Sequence, residues 1–235
     1  MNLLALETST ECCSVALECN GEIVARSEYA PRRHAELLLP MCEEVLAEAG
    51  IVRRQLDAIA VGRGPGAFTG VRLAISAAQG IALALDVPVF PVSSLAALAL
   101  DVPVDGHALL AVIDARMGEV YAGVFERDID GLVSLIGTES VGAPDRLVLA
   151  AGSPWAVIGT GWGTYREAIV ARLGAPPAWA ESQRFPQAIA VARLARRNHA
   201  AGQGVAPEFA LPVYLRDKVA YTTSERNQAV QSVGT

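Results

Sequence analysis

Residues 2–29 read NLLALETSTECCSVALECNGEIVARSEY, and this stretch decides the fold. Residues 2–8 are apolar and short, the pattern of a buried strand. Residues 12–18 alternate Cys13, Val15 and Leu17 against Ser14, Ala16 and Glu18, a period of two that predicts a second strand. Asn20-Gly21 is the dipeptide of a type I′ turn, so a third strand over 22–29 should fold back on the second. The chain therefore opens with three antiparallel strands.

Working outward, the period changes to that of a helix over 34–49, where Leu38, Cys42, Val45, Leu46 and Ala49 share one face. Leu37, Leu39 and Met41 widen its apolar arc, Pro40 should kink or restart it, and Gly50 should stop it. A buried strand is expected over 57–62. A glycine-rich loop, GRGPGAFTG at 62–70, then enters a second helix over 70–85 whose polar stripe is only Arg72, Ser76 and Gln79. Residues 87–92 (VPVFPV) give a fifth strand. The segment 101–106, Asp-Val-Pro-Val-Asp-Gly, reads as a joint between domains. After it the order restarts: strands over 108–114, 118–126 and 131–139, a short helix over 144–151, a strand over 155–160, and helices over 163–173 and 186–201. Residues 217–235 read as a flexible tail. No sequence repeat is visible, yet the order of elements repeats. Two lobes, 1–102 and 103–216, each with a mixed five-stranded βββαβαβ sheet and flanking helices, form an α/β fold of the actin/Hsp70/sugar-kinase (ASKHA) class.

Composition narrows the function. The 235 residues are 52% apolar and 19% charged, with a formal net charge of −6. Such a chain has ample material for a core and is a poor match for a phosphate backbone. No apolar run reaches the length of a membrane span, and Glu7 comes too early for a secretory leader, so a cytoplasmic location is the expectation. Lys218 is the only lysine, against 18 arginines, which leaves no lysine for a Schiff base or a P-loop in the body of the fold. Cys12, Cys13, Cys19 and Cys42 form no Cys-x-x-Cys pair, and His34, His107 and His199 are far apart, so no metal site is expected.

In an ASKHA fold, nucleotide phosphates lie against two hairpin turns, one per lobe, each with an acid and small residues. Here the first turn is Glu7-Thr8-Ser9-Thr10-Glu11 and the second is Asp114-Ala115-Arg116-Met117-Gly118. A loop at 159–163 (Gly-Thr-Gly-Trp-Gly) stands where an adenine could lie. The chemistry is weakened. The first turn has no glycine, the second has only a late one, and Asp114 with Arg116 and Glu119 reads better as an ion pair at a hairpin end than as an acid/base couple. Any nucleotide contact would be weak and would involve Thr8, Asp114 and Gly161. In the loop 62–70, Gly64 and Gly66 permit positive φ, Pro65 restricts its neighbour, and Thr69 is a candidate N-cap for a helix starting at Gly70. It lacks Gly-Lys-Ser/Thr and the Gly-x-Gly-x-x-Gly spacing, so it reads as a structural turn. No Gly-x-Ser-x-Gly elbow surrounds Ser93 or Ser94. What remains is an excess of apolar surface on the helices at 34–49 and 70–85, the signature of a protein interface.

Several stretches together resemble one family: residues 3–10 with Glu-Thr-Ser-Thr, His34-Ala-Glu-Leu-Leu-Leu-Pro40, Gly62 to Arg72 with Gly-Pro-Gly-Ala-Phe-Thr-Gly, Val92-Ser-Ser-Leu95, Asp114 to Tyr121, and Pro212-Val-Tyr-Leu-Arg216. They are similar to the bacterial TsaB family, over about residues 1–216. The resemblance implies a non-catalytic subunit of the complex that transfers a threonylcarbamoyl group from threonylcarbamoyl-AMP to N6 of the adenosine beside the anticodon, in tRNAs reading codons that begin with A. Its implied partners are the catalytic subunit TsaD and the small ATPase TsaE, with a homodimer when alone and tRNA only through the complex. No cofactor is implied beyond a nucleotide held weakly or at an interface. The His-x-x-x-His metal pair of TsaD aligns with Ser94 and Leu98, which supports a pseudo-enzyme. The residues expected to bind the partner are Leu38, Met41, Cys42, Val45, Leu46, Arg72, Ile75 and Gln79. Arginine at Val45 or Ile75 should then break the complex and leave the monomer folded. The other reading is an active ATPase or small-molecule kinase built on Asp114 and the loop 159–163.

Overall fold

The computed structural model describes residues 1–149 and 154–216 of the chain. The opening meander forms as the sequence dictates: β1 (Leu3–Glu7), β2 (Cys12–Cys19) and β3 (Glu22–Tyr29) pair antiparallel in turn. Asn20 (φ 53°) and Gly21 (φ 86°) both take the left-handed conformation that a type I′ turn requires. The helix α1 (His34–Glu48) follows, then β4 (Ala58–Gly62), α2 (Phe68–Leu85) and β5 (Val89–Val92). β4 pairs parallel to β1, and β5 parallel to β4, giving the order β3-β2-β1-β4-β5.

The second half repeats this. After a short helix α3 (Ser94–Leu100) come β6 (Ala108–Arg116), β7 (Glu119–Arg127), β8 (Val133–Gly142), β9 (Trp155–Ile158), α4 (Thr160–Leu173), β10 (Trp179–Glu181) and α5 (Ala188–Ala200). The sheet order is β10-β9-β6-β7-β8, the same topology read from the other edge. Two mixed five-stranded sheets of like connectivity are the ASKHA architecture that the order of elements implied.

Several local expectations change. α1 runs through Pro40 as one helix and does not restart there. α2 begins at Phe68 and not at Gly70. Its N-cap is Ala67, with no side-chain cap, so Thr69 lies inside the first turn and caps nothing. Within residues 144–151, a single 3-10 turn, Pro144–Arg146, replaces the expected helix, and residues 150 and 151 lie outside the described residues. The expected tail, 217–235, also lies outside them. α3 was not legible. Its Ser93 N-cap, whose hydroxyl accepts from the Ala96 N–H at 3.1 Å, was the available signal.

The helices do not respect the joint at 101–106. α3, from the first half of the chain, packs on β6, β7 and β8. α5, from the second, packs on β1, β2, β4 and β5. One core therefore joins Leu3, Phe90, Leu95 and Leu98 to Leu109, Phe125, Ile158 and Val191. This explains why β2 is buried along both faces, although its alternation suggests one solvated face. Ser14 Oγ accepts the Ala188 N–H at the start of α5 (2.9 Å), and Glu18 pairs with Arg196 at 3.0 Å.

A second core lies under α1 and α2 on the opposite face of the first sheet, where Leu38, Met41, Cys42, Val45 and Leu46 meet Val71, Ala74, Ile75, Ala78 and Ala82. The inward residues of α2 are nearly all small, so it sits close to the strands. α2 is also long and apolar enough to cross a membrane by composition alone, with a mean hydropathy of 1.5. Here its inward face packs on the sheet.

Glycine has opposite consequences at the two ends of α2. A Cβ at Gly70 would overlap the Thr8 carbonyl oxygen, whereas one at Gly80 would meet nothing within 4 Å. Gly70→Ala should therefore lower the unfolding free energy by about 1–3 kcal/mol through overpacking. Gly80→Ala should raise it by roughly 0.5–1 kcal/mol through helix propensity. Urea titrations at unchanged m-value measure both.

Candidate functional site

The two hairpin turns face each other across the cleft between the sheets. At the first, the Glu7 carboxylate is completely buried. It accepts the Ser9 N–H at 2.6 Å and the Ser94 hydroxyl at 2.8 Å, and it fills the space beside Gly62. Burial pushes this carboxyl above its ordinary value of 4.5, opposed by the hydrogen bonds from Ser9, Ser94 and Thr8. The Thr8 hydroxyl donates to the Gly70 carbonyl at 2.7 Å, and the Ser9 carbonyl accepts the Ala67 N–H, also at 2.7 Å. The glycine loop is thus welded to the turn. Gly64 takes φ 88° and the Gly64–Pro65 peptide is cis. Gly66 does not need positive φ. It is glycine because a Cβ would overlap the Ser9 carbonyl.

At the second turn, Arg116, Met117 and Gly118 all take positive φ. The Arg116 guanidinium donates to Asp114 at 3.0 Å and reaches across the cleft to Glu11 at 2.8 Å. Asp114 also accepts the Arg116 N–H at 2.8 Å and the Tyr165 hydroxyl at 3.4 Å. The expected third member, Glu119, pairs instead with Arg216. Residues 159–163 are not a loop: Gly159 precedes α4, and Gly161 and Gly163 lie in its first turn. Cβ atoms at Gly159 and Gly161 would run into Val112 of β6, so these glycines let α4 approach that strand. Thr160 Oγ1 accepts the Asp114 N–H at 3.0 Å. Thr8 and Gly161, expected near a nucleotide, are both buried in packing contacts.

The residues expected to bind a partner are placed differently by the structure. Leu38, Met41, Cys42, Val45, Leu46 and Ile75 are each at most 6% exposed and form the core beneath α1 and α2. The apolar excess is real, but its inward half is satisfied by the sheet. The outward half comprises Leu39 (55% exposed), Phe68 (44%) and Leu83 (73%), with Leu37, Leu73, Ala77 and Ile81 half-buried around them. Arg72 and Gln79 hold the chain's own C-terminal segment. Arg72 Nε donates to the Tyr214 hydroxyl at 2.6 Å while its guanidinium lies 3.6 Å over the Phe68 ring, and Gln79 donates to the Ala210 carbonyl at 3.2 Å. Residues 207–216 form a strap that the sequence reading gave no role. Ala210 enters the core under α2, the Val213 N–H bonds the Arg63 carbonyl at 2.9 Å, and Arg216 reaches the Ala115 carbonyl at 3.2 Å in the second lobe.

Ser94 and Leu98 share one face of α3. Ser94 is spent on Glu7, and Leu98 is fully buried beside Gly159, just before α4. Among the described residues, no three His, Cys, Asp or Glu side chains gather as a metal site. Burial pushes the Cys13 and Cys42 thiols up to about 12, so neither is a nucleophile at neutral pH.

Two lobes of repeated topology, a cleft between two hairpin turns and a glycine loop bound to the first turn define a two-lobed ASKHA-type protein. Residues 24–155 match the family model described as "TsaD: tRNA N6-adenosine threonylcarbamoyltransferase". The chain is 39% identical to the tRNA threonylcarbamoyladenosine biosynthesis protein TsaB of Escherichia coli K12, over 94% of this chain and 97% of that one. It is 37% identical to the Haemophilus influenzae protein of the same name, over 94% and 96%. The crystal structure of YeaZ from Pseudomonas aeruginosa superposes with a TM-score of 0.85 at 45% identity, over 91% of this chain and 99% of that one. A second structure, of a P. aeruginosa protein described as similar to peptidase YeaZ, gives 0.84 at 45%. The chain belongs to the TsaB family of tRNA threonylcarbamoyladenosine biosynthesis proteins.

The buried Glu7 makes a testable pH dependence. Its folded pKa is raised, so above pH 4.5 the unfolded chain releases this proton first. Stability relative to Glu7→Gln should therefore fall as pH rises from 4.5 towards the folded value, by at most about 1.4 kcal/mol per pH unit, and then level off. Paired urea titrations of the two proteins between acid and neutral pH give the difference, and a rise with pH contradicts the burial account.

Proposed function

We propose that this chain is a non-catalytic, cytoplasmic subunit of the tRNA threonylcarbamoyl-transfer machinery, and that it docks on a TsaD-type catalytic partner through the outward faces of α1 and α2. The observation that carries the reading is the apolar surface these helices keep in solvent after their inward sides are filled. Leu39, Phe68 and Leu83 stand exposed on two neighbouring helices whose only exposed polar side chains on α2 are Thr69, Arg72 and Ser76. Surfaces of this kind on a soluble chain mark protein interfaces. Small residues at Ala77, Gly80 and Ala84 would let a partner helix come close. The same face would serve a homodimer when the partner is absent. A small ATPase of the TsaE kind would join the assembly, and tRNA would be contacted through it, consistent with the net charge of −6.

The reading as a pseudo-enzyme is supported by how the cleft's acids are used. Asp114 and Glu11 are both committed to Arg116, and Glu7 is sealed behind Ser94 and Gly62. An ATPase or small-molecule kinase would need one of these carboxylates free to orient a metal-bound phosphate. A nucleotide would be held weakly or at the interface of the complex.

The structure changes the variants that test docking. Leu83→Arg and Leu39→Arg should abolish co-purification with TsaD while shifting stability by no more than about 0.5 kcal/mol. Val45→Arg would bury an unpaired charge and should fail to fold. Retained co-purification by the Leu83 and Leu39 variants together would remove this face from the complex.

A further inference from the structure

The outward side of α2 carries a single charge. Of the 18 residues Phe68–Leu85, Arg72 alone is charged. At about 3.6 residues per turn, Phe68, Arg72, Ser76, Gln79 and Leu83 fall on one side of the helix. Arg72 therefore stands between the exposed apolar side chains of Phe68 and Leu83, in the middle of the surface that α1 and α2 keep in solvent.

This arginine is exposed, yet its side chain is already held in place. Nε donates to the Tyr214 hydroxyl at 2.6 Å, and the guanidinium lies 3.6 Å over the Phe68 ring and 5.4 Å from the Tyr214 ring. Those two rings are themselves 5.9 Å apart, so the guanidinium is gripped by an aromatic pair. Half of that grip comes from the strap, 142 positions further along the chain. The bond to Tyr214 uses Nε alone. Among the described residues, the two terminal amino groups have no hydrogen-bond partner and Arg72 makes no ion pair. The acids of α1 offer it nothing: Glu36 pairs with Arg33, Glu43 with Arg53, and Glu44 and Glu48 with Arg26. Among the described residues, Arg72 is thus the one charged side chain of the two helices without an opposite charge. A wholly apolar partner laid over this face would strand a guanidinium away from water. A carboxylate in the partner would meet two amino groups whose geometry suits it end-on. An arginine already fixed by stacking loses little further freedom on binding, which is the character of an interface anchor. A second copy of this chain, docked through the same helices, would bring a second unpaired Arg72 and no free acid. Charge complementarity selects a different chain.

We propose that Arg72 anchors the docking face: its terminal amino groups take one carboxylate of the TsaD-type catalytic partner, and Tyr214 of the strap is the positioning residue that holds the guanidinium ready. This rests on the docking reading above and adds the chemistry of the partner, an acidic side chain set among apolar ones. It also gives the strap a part in association, because the strap supplies the hydroxyl that orients the anchor. A homodimer through the same face leaves Arg72 unmatched and is the weaker assembly.

The test measures binding of the full-length chain to TsaD by calorimetry, at about 0.05 M and about 0.5 M sodium chloride. Arg72→Gln should weaken binding at least roughly tenfold at the lower salt and make affinity less dependent on salt, with the thermal midpoint of the free chain retained. Arg72→Lys keeps the charge without the fork, so it should bind more weakly than the natural chain and keep its salt dependence. Weaker binding of Arg72→Gln with unchanged salt dependence means a neutral contact and overturns the carboxylate. Tyr214→Phe should weaken binding about threefold in the natural chain and have no effect in Arg72→Gln. An equal loss in both backgrounds overturns the positioning role. The same series separates this inference from the docking reading. If Leu39→Arg and Leu83→Arg abolish binding while Arg72→Gln binds as the natural chain does, the anchor is wrong and the face stands. If Leu39→Arg and Leu83→Arg bind unchanged, or the natural chain does not bind, the face is wrong and the anchor falls with it.

Discussion

The rest of the structure depends on how closely the glycine loop approaches the first hairpin turn. Gly62 leaves room for the Glu7 carboxylate, Gly66 lies against the Ser9 carbonyl and Gly70 against the Thr8 carbonyl. At none of the three could a Cβ be accommodated without moving main chain or a buried carboxylate. The contact fixes the start of α2 relative to β1, and through the Glu7–Ser94 bond it fixes α3 as well. Since α3 packs on the second sheet, one backbone contact in the first lobe also sets the spacing of the two lobes. The strap adds a second tie, from Val213 on the glycine loop to Arg216 on the second turn.

The cleft inherits its character from these ties. In a phosphate-handling fold, the two turns offer free amides and an unpaired acid. Here the same positions are occupied by internal bonds: Thr8 to Gly70, Ser94 to Glu7, and Arg116 between Asp114 and Glu11. Two lobes that could clamp a triphosphate are instead joined directly by an arginine. Among the described residues, the buried Thr10 Oγ1 and His34 Nε2 have no partner, and both lie to one side, where α1 and α2 begin.

The outer helices show why apolar content alone could not separate the buried faces from the exposed ones. α1 and α2 carry more apolar residues than one face requires, and this much was correctly legible. Helical periodicity ranks faces by relative position, so it singled out Leu38, Val45 and Ile75, the most regularly spaced. Regular spacing is the mark of the face that meets the sheet. Those residues are core, and the solvent side is held by Leu39, Phe68 and Leu83. Arg72 and Gln79 looked like a polar stripe for a partner, but a strap some 130 residues further on takes both.

By itself the sequence determined most of the elements and their order, though not α3 or β10, and it placed a helix over 144–151 where the described residues form a 3-10 turn. Period-two strands, the Asn20-Gly21 turn, the helix stop at Gly50 and the restart after residue 106 are local signals, each set by a residue's own backbone preference or by its near neighbours. From them the two-lobed class followed, and the stretch around Gly-Pro-Gly-Ala-Phe-Thr-Gly carried the family. Only the tertiary structure decided which surfaces are covered. It placed α5 over the polar side of β2, exchanged α3 and α5 between the sheets, and turned residues 159–163 into the start of a helix. It also spent Asp114 on Arg116 and, among the described residues, left Thr10 Oγ1 unpaired. The physical reason is separation along the chain. Burial and hydrogen-bond satisfaction depend on groups tens to hundreds of residues away, and no local period or turn motif contains that information.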